Sequence, residues 1–189
     1  LEDAIYEHES GTKIIPASLS LKETEKVDYK KIGDIIKKLK KLTNHILIDS
    51  AAGLREEVRS VMQASDEIII VTNPEMAAVT DALKTIKLAE EMNKPVKGVI
   101  ITRYRGVRTE MPISNIHDML ETPILGIIPE DEAVKISQVL KNAVIHTHPK
   151  SKAARNYIET SKRLLGDEYK EPVIKQGLWT GILKAFGLR

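Results

Sequence analysis

The sequence of 189 residues contains no cysteine, which excludes disulfide bridges, zinc–thiolate sites and thiol nucleophiles. No apolar run approaches the length of about 20 residues that a membrane-spanning helix needs. Neither sign of charge is in excess, since 29 Lys and Arg against 27 Asp and Glu leave a net charge of +2. A chain so nearly neutral has no general electrostatic attraction to nucleic acid, and we expect no nucleic-acid partner.

Large aromatic side chains are almost missing. There is one Trp and one Phe, and both lie within the last 11 residues. Protein cores normally hold the large aromatics, so their place at the end of this chain sets that segment apart. The remaining composition, 42% hydrophobic and 30% charged residues, is that of an ordinary globular domain, and the length suffices for one α/β domain with a proper core.

Short apolar runs alternate with helical patterns along the chain. The runs predict strands at 13–16, 46–48, 67–72, 96–102, 124–128 and 143–146. The patterns predict helices over 1–9, 29–42, 55–64, 75–92, 111–120, 132–140 and 151–165. Strands that alternate with helices at this spacing form right-handed βαβ units. We therefore predict an α/β fold with a doubly wound, mainly parallel sheet and helices on both faces.

Residues 45–54 read H-I-L-I-D-S-A-A-G-L. An unbroken apolar run is typical of a strand buried on both faces of a parallel sheet, and this one ends at Asp49. A carboxylate at the carboxyl end of a buried strand lies where open α/β sheets bind ligands, and Gly53 lets the backbone approach a ligand closely. The stretch is therefore either a Walker B strand beside nucleotide phosphates or a strand that merely ends at a polar loop.

Other predicted strands also run into polar loops. Thr102 and Arg103 follow one strand, and residues 129–131 (Pro-Glu-Asp) follow another. A guanidinium plane and a proline ring can form the flat walls of a base pocket, but Arg103 can equally be a surface cation. Asn73 and Pro74 are a good helix-start signal and need no further function.

Residues 177–189 read G-L-W-T-G-I-L-K-A-F-G-L-R. At 100° per residue, five apolar side chains share one face: Leu178, Trp179, Ile182, Leu183 and Phe186. A helix of this length, about 20 Å, is too short to span a bilayer and is typical of one that lies in the membrane interface. The alternative is a helix that docks on the protein's own core or on a partner.

Four motifs, in this order and spacing, resemble the MinD proteins, deviant-Walker ATPases related to the ParA partition ATPases and the nitrogenase iron protein. They are D-S-A-A-G-L at 49–54, V-T-N-P-E at 71–75 with A-V-T-D at 78–81, I-T-R-Y at 101–104 and G-I-I-P-E-D-E-A-V at 126–134. The tail also resembles the membrane-targeting helix of that family. One departure is Ala51, where the family usually has Pro.

The resemblance implies roles for these residues and implies ATP and Mg²⁺ as cofactors. Asp49 would be catalytic and hold the Mg²⁺ through water, with no direct protein ligand to the metal, and Gly53 would approach the γ-phosphate. The two loops that would clasp the adenine contribute Thr102, Arg103, Pro129, Glu130 and Asp131. The face for ATP-dependent dimerisation and for regulators would include Asn73, Glu75 and Asp81.

The phosphate-binding loop of the family, K-G-G-x-G-K-[ST], has no counterpart, because no Gly-Lys pair occurs in the sequence. We therefore expect 1–165 to be the C-terminal portion of a P-loop ATPase domain with a gap in its sheet, followed by a linker (166–176) and a membrane-targeting helix (177–189). This portion alone would be inactive because it lacks the Walker A motif.

The function implied by the resemblance is an ATPase whose ATP-dependent homodimer binds an anionic membrane surface reversibly. It would be a cytoplasmic protein, peripheral on the inner face of the cell membrane, that places the division site or another structure under regulators of the Min type. Two alternatives remain: a ParA-like ATPase that positions DNA or cargo, and a non-catalytic scaffold if the P-loop is truly absent.

Overall fold

The computed structural model describes residues 4–17 and 28–166. The predicted tail helix and the predicted linker beyond Gly166 lie outside the described residues. The chain divides into two compact units, with the boundary between Leu47 and Ile48. Among the helices in the described ranges, none has the length and apolarity to cross a bilayer.

The first unit begins with a small antiparallel hairpin of β1 (Tyr6–Glu7) and β2 (Lys13–Ile14). The helix predicted over 1–9 is therefore wrong in its described part, whereas the predicted strand at 13–16 is confirmed for two residues. Gly11, at φ +80°, closes the turn, and its N–H donates to the His8 carbonyl at 2.8 Å. This local turn commits the backbone to a hairpin, which explains why a helix does not form.

A helix follows in the same unit. A 3₁₀ turn at Tyr29–Lys31 leads into α1 (Ile32–Leu39), which confirms most of the helix predicted over 29–42. Ile36 is buried. The lysines of the opposite face are exposed, namely Lys37, Lys38, Lys40 and Lys41. The amphipathic pattern thus produces the expected division into one apolar and one solvated face.

The second unit is built on a parallel sheet in the order β3 (Ile68–Thr72), β4 (Val96–Tyr104) and β5 (Ile124–Pro129). These strands are rich in Ile and Val, whose branched side chains favour extended backbone. The two crossovers contain α3 (Met76–Glu91) and α4 (Ile113–Leu120). The three strands predicted at these positions are confirmed to within two residues at each end.

Four more helices complete the described part of this unit. They are α2 (Glu56–Ala64), α5 (Glu132–Val139), α6 (Val144–Thr147) and α7 (Lys152–Leu165). Ser151 caps α7 as predicted, since its hydroxyl accepts from the Ala154 N–H at 3.1 Å. The strand predicted at 143–146 is wrong: the Ala143 carbonyl accepts from the backbone N–H groups of His146 and Thr147, so a helical turn forms there instead.

Helices cover both faces of the sheet. The main core joins β3–β5 to α2, α3 and α4 around fully buried residues that include Val79, Val99, Ile101 and Ile116. On β5, α7 approaches so closely that a Cβ on Gly126 would collide with the Thr160 side chain. Glycine at 126 is therefore required by the contact. The predicted α/β fold with helices on both faces is confirmed.

Residues 45–50 form no strand in the structure, so the buried strand predicted at 46–48 is wrong. Leu47 is 88% exposed, and Asp49 is exposed as well. A strand exists only where a neighbouring strand accepts and donates its backbone hydrogen bonds, and the ladders found in the described residues do not include this segment. An apolar run alone cannot provide that neighbour.

Candidate nucleotide site

The carboxyl ends of the three parallel strands lie at one edge of the sheet. Tyr104 and Pro129, the last residues of β4 and β5, are aligned in register. Two hydrogen bonds tie the ends together: Thr102 Oγ1 donates to the Thr72 carbonyl at 3.1 Å, and the Glu130 N–H donates to the Tyr104 carbonyl at 2.9 Å. This edge of an open α/β sheet is where such proteins bind ligands.

Arg103 has an unusual backbone conformation at this edge. Its φ is +56°, in the left-handed region that side chains other than glycine seldom occupy. Three other non-glycine residues with positive φ, Asn93, Glu121 and Lys141, follow the ends of helices, where this conformation is common. Arg103 instead lies near the end of a strand and is exposed. Strain of this kind, about 1–3 kcal/mol, is concentrated at functional sites.

In the loop after β5, Asp131 holds the fold together, whereas Glu130 is exposed. Asp131 caps two helices at once, because Oδ1 accepts from the Ala133 N–H of α5 at 3.0 Å and Oδ2 from the Ala153 N–H of α7 at 3.1 Å. The hydrogen bonds from Ala153 and Ala133 hold the pKa of Asp131 below its usual value despite burial. Its carboxylate oxygens are thus engaged with the protein, and a contact with nucleotide stays a prediction.

Pro129 and Glu130 are the other members of this loop. Pro129 is half-buried, and Glu130 pairs with Arg105 at 3.5 Å and with Lys135 at 3.9 Å. The structure therefore brings Thr102, Arg103 and this loop together at one edge, as the predicted adenine clasp requires. Their contact with a base is not tested by this arrangement and remains a prediction.

The predicted dimer face lies at the start of α3. The Asn73 side-chain oxygen accepts from the Glu75 N–H at 3.3 Å, so Asn73 organises the turn before the helix. Glu75 and Asp81 are exposed, and Asp81 pairs with Lys84 at 3.0 Å. These positions are accessible to a partner, and their role in dimerisation remains a prediction.

Asp49 and Gly53 lie in the segment that precedes α2. Gly53 has φ +106° with no atom within 4 Å of the place a Cβ would occupy. Glycine is therefore required here by the backbone conformation and not by crowding. The Asp49 carboxylate is exposed, so it is free to face solvent or a hydrated metal. Its role as the Walker B acid remains a prediction.

Sequence reasoning missed two residues that shape the edge, Arg105 and Glu110. The Glu110 side chain is only 6% exposed and accepts from the N–H groups of Arg105 and Gly106. Burial by itself raises the pKa of Glu110, but hydrogen bonds from the Arg105 side chain and from the backbone N–H groups of the loop outweigh it and lower the pKa. The sequence contains one signal for this contact: Glu110 is the only acidic residue in the loop that contains Arg105 and Arg108.

An open groove of about 390 Å³ runs beside this network, between the loop after β4 and the start of α4. A second depression, lined by His117 and Asp118 of α4 and by residues 121–123 of the α4–β5 turn, lies at the amino end of β5. Only the first adjoins the loops discussed above. Neither Arg103 nor Pro129 is among the residues that line this groove, so a base held between these two side chains stays a prediction.

This is the architecture of an open α/β protein whose loops at the carboxyl edge of a parallel sheet form the expected ligand-binding edge. Residues 11–138 match the family described as AAA domain. The chain is 30% identical over 176 residues to an uncharacterised ATP-binding protein of Methanocaldococcus jannaschii, a match that covers 93% of this chain and 67% of the relative. The chain belongs to the AAA domain family and, within it, to the MinD/ParA type of P-loop ATPase.

Solved structures agree with this assignment. The septum site-determining protein MinD of Pyrococcus horikoshii, complexed with Mg-ADP, superposes with a TM-score of 0.82 at 31% identity, over 90% of this chain and 72% of that one. The MinC:MinD cell division complex of Aquifex aeolicus gives a TM-score of 0.78 at 27% identity, over 92% of this chain and 71% of that one. The chain thus spans about two thirds to three quarters of these relatives.

Proposed function

We propose that this chain provides the base-binding side and the Mg²⁺-positioning acid of a MinD-type ATPase. The observation that carries the proposal is the joined pair of loops at the carboxyl edge, where Glu130 N–H donates to the Tyr104 carbonyl and Arg103 is held at positive φ. A relative of similar fold is complexed with Mg-ADP, which supports ATP and Mg²⁺ as the cofactors here.

Each residue then has a defined task. Arg103 and Pro129 provide flat walls on either side of the adenine, and Asp49 orients the water shell of the metal. Gly53 allows its backbone to approach the terminal phosphate, a contact that differs before and after hydrolysis. Bound Mg²⁺ supplies neutralisation of the phosphate charge.

Nucleotide binding tests this assignment. The full gene product should bind Mg-ATP in calorimetry, and Arg103→Ala should weaken that binding about tenfold, because the base loses one wall of its pocket. The matched control is Arg59→Ala, an exposed arginine on α2, which should bind as wild type does. If Arg103→Ala binds ATP as tightly as the control, this edge does not hold the base.

We further propose that ATP drives homodimerisation through the face that includes Asn73, Glu75 and Asp81, and that the dimer attaches to anionic membrane by the tail. A single short interfacial helix binds weakly, whereas two on one dimer bind far more tightly through effective concentration. The protein would then be cytoplasmic and peripheral on the inner membrane face. The MinC:MinD complex of a relative supports a Min-type regulator as partner and division-site placement as the task.

Sedimentation with anionic liposomes tests the membrane part. More protein should sediment with ATP than with ADP, and Trp179→Glu or Phe186→Glu should abolish the binding because each places a charge on the apolar face. Thr180→Glu is the matched control, since it adds the same charge on the opposite face and should retain most of the binding. Equal binding by all of these variants and wild type would refute the tail hypothesis.

A further inference from the structure

Glu110 has a nearly buried carboxylate, and it has no role in the nucleotide and metal contacts proposed above. Its oxygens accept from the Gly106 N–H at 2.8 Å, from the Arg105 N–H at 3.1 Å and from the Arg105 Nε at 3.1 Å. A buried charge is tolerated only when it is paired and hydrogen-bonded. Every one of these donors belongs to the two residues that follow β4, so the loop is folded around this single side chain.

The same arginine reaches the loop after β5. Arg105 Nε lies 3.5 Å from Glu130 Oε2, while the Glu130 N–H donates to the Tyr104 carbonyl at 2.9 Å. One ion pair and one backbone hydrogen bond therefore join the two loops. A pairing shared by two carboxylates fixes the guanidinium more firmly than an isolated surface pair.

A third connection leads to the loop after β3. The N–H of Met111, the residue next to Glu110, donates to the Pro74 carbonyl at 2.9 Å. The segment from Arg105 to Met111, which follows β4, thus contacts the loops that follow the other two strands, β3 and β5. Arg103 lies two residues before this segment, and Pro129 lies next to its ionic partner Glu130.

We propose that Arg105 and Glu110 form a clamp that sets the separation of the two base-binding loops and thereby tunes adenine affinity. The inference rests on the proposed nucleotide site and deepens it. Both are positioning residues, because they act through Arg103 and Pro129. In Glu110→Gln one carboxylate oxygen becomes an N–H donor, so either Arg105 Nε or the Gly106 N–H loses its acceptor. The charge that pairs with Arg105 is lost as well, and the loops are then free to separate.

The test compares ligands with and without a base in the full gene product. Glu110→Gln and Arg105→Gln should each weaken ATP binding about tenfold, measured by calorimetry, while tripolyphosphate, which has no base, should compete as well as it does against wild type. Glu90→Gln is the matched control: it removes an exposed carboxylate that pairs with Lys87 at 2.9 Å, at the far end of α3, and should change neither affinity.

The outcomes are distinct. If both variants bind ATP as tightly as Glu90→Gln does, the clamp has no positioning role. If ATP and tripolyphosphate affinities fall together, the effect is a general loss of structure and the inference is again wrong. Arg105 is 55% exposed, so Arg105→Gln is expected to fold even where Glu110→Gln does not. A wild-type protein that binds tripolyphosphate but not ATP would instead refute the proposed function itself.

Discussion

Two segments of this chain have the same sequence pattern, an apolar run that ends in polar residues, but they differ in the structure. The run at 124–129 becomes β5, and its terminal loop is tied to β4 and to two helices. The run at 46–48 is a strand in the pattern only, with Leu47 88% exposed and Asp49 open to solvent. The difference shows that an apolar run predicts a strand but does not provide the neighbouring strand that would pair with it and bury it.

The comparison also separates two kinds of acid. Asp131 has both oxygens engaged by helix N-termini, so its charge stabilises the fold. Asp49 is exposed and follows no strand of the described sheet, so its charge is available for a ligand. Substitution of Asp49 should therefore reduce activity and leave stability unchanged, whereas substitution of Asp131 should reduce stability.

The largest expected effect is on turnover. Asp49→Ala in the full gene product should reduce ATP hydrolysis to background, because the proposed Walker B acid, which would orient the water shell of the metal, is removed. Its free energy of unfolding without nucleotide should stay within about 0.5 kcal/mol of wild type, because the side chain is exposed. A phosphate-release assay and urea denaturation measure the two quantities. Unchanged turnover would remove Asp49 from the site.

The next effect is on stability. Asp131→Ala removes the side-chain acceptor at the start of both α5 and α7. At about 1 kcal/mol for each cap, the free energy of unfolding should fall by about 2 kcal/mol. Asp131→Asn, which keeps one acceptor oxygen, should lose about half as much. Urea denaturation checks both, and an alanine variant as stable as wild type would contradict the double cap.

Acid should weaken the same loops. The pKa values of Asp131 and Glu110 are lowered in the folded protein, so the stabilisation they give is complete above the unfolded value, near pH 4, and is lost as pH falls through the folded values. Urea midpoints measured from pH 6 to pH 3 should decline at the acid end. The decline should be shallower in Asp131→Asn, and an identical decline in that variant would contradict this assignment.

The smallest stability change is expected on the predicted dimer face. Asp81→Asn breaks an exposed pair with Lys84 at 3.0 Å, which is worth less than about 0.5 kcal/mol. The melting temperature should therefore hardly change, whereas ATP-dependent dimerisation should weaken in analytical ultracentrifugation. Lys87→Gln, which breaks a similar pair with Glu90 at 2.9 Å farther along α3, is the control. Equal dimerisation of both variants would remove Asp81 from the interface.

Sequence patterns predicted most of the second unit because its segments with high strand or helix propensity also find the neighbouring elements that those structures need. The Ile- and Val-rich strands at 68–72 and 96–104 have neighbours in the sheet, and Ser151 caps its helix as expected. Two failures occur where local hydrogen bonds decide: the turn at Gly11 made a hairpin where a helix was predicted, and Ala143 began a helical turn where a strand was predicted. The third, the strand predicted at 46–48, occurs where a neighbouring strand is missing among the described ladders.

The candidate site was predictable in its strand ends but not in its connections. Thr102, Arg103 and Pro129 could be placed at one edge because parallel strands end together. The clamp could not, since Glu110 is buried by the folding of its own loop and no periodicity marks such a residue. The double use of Asp131 was also hidden, because its second partner, Ala153, lies 22 residues further along the chain.

Hydrogen–deuterium exchange of the full gene product, with and without Mg-ATP, measures whether the base binds at the carboxyl edge of the sheet. We predict that ATP slows exchange of the backbone amides at 102–106 and of Glu130 and Asp131, while the amides of Glu121 and Thr122 in the α4–β5 turn exchange as before. Protection confined to other segments, with both loops unchanged under saturating ATP, would contradict the placement of the base at this edge of the sheet.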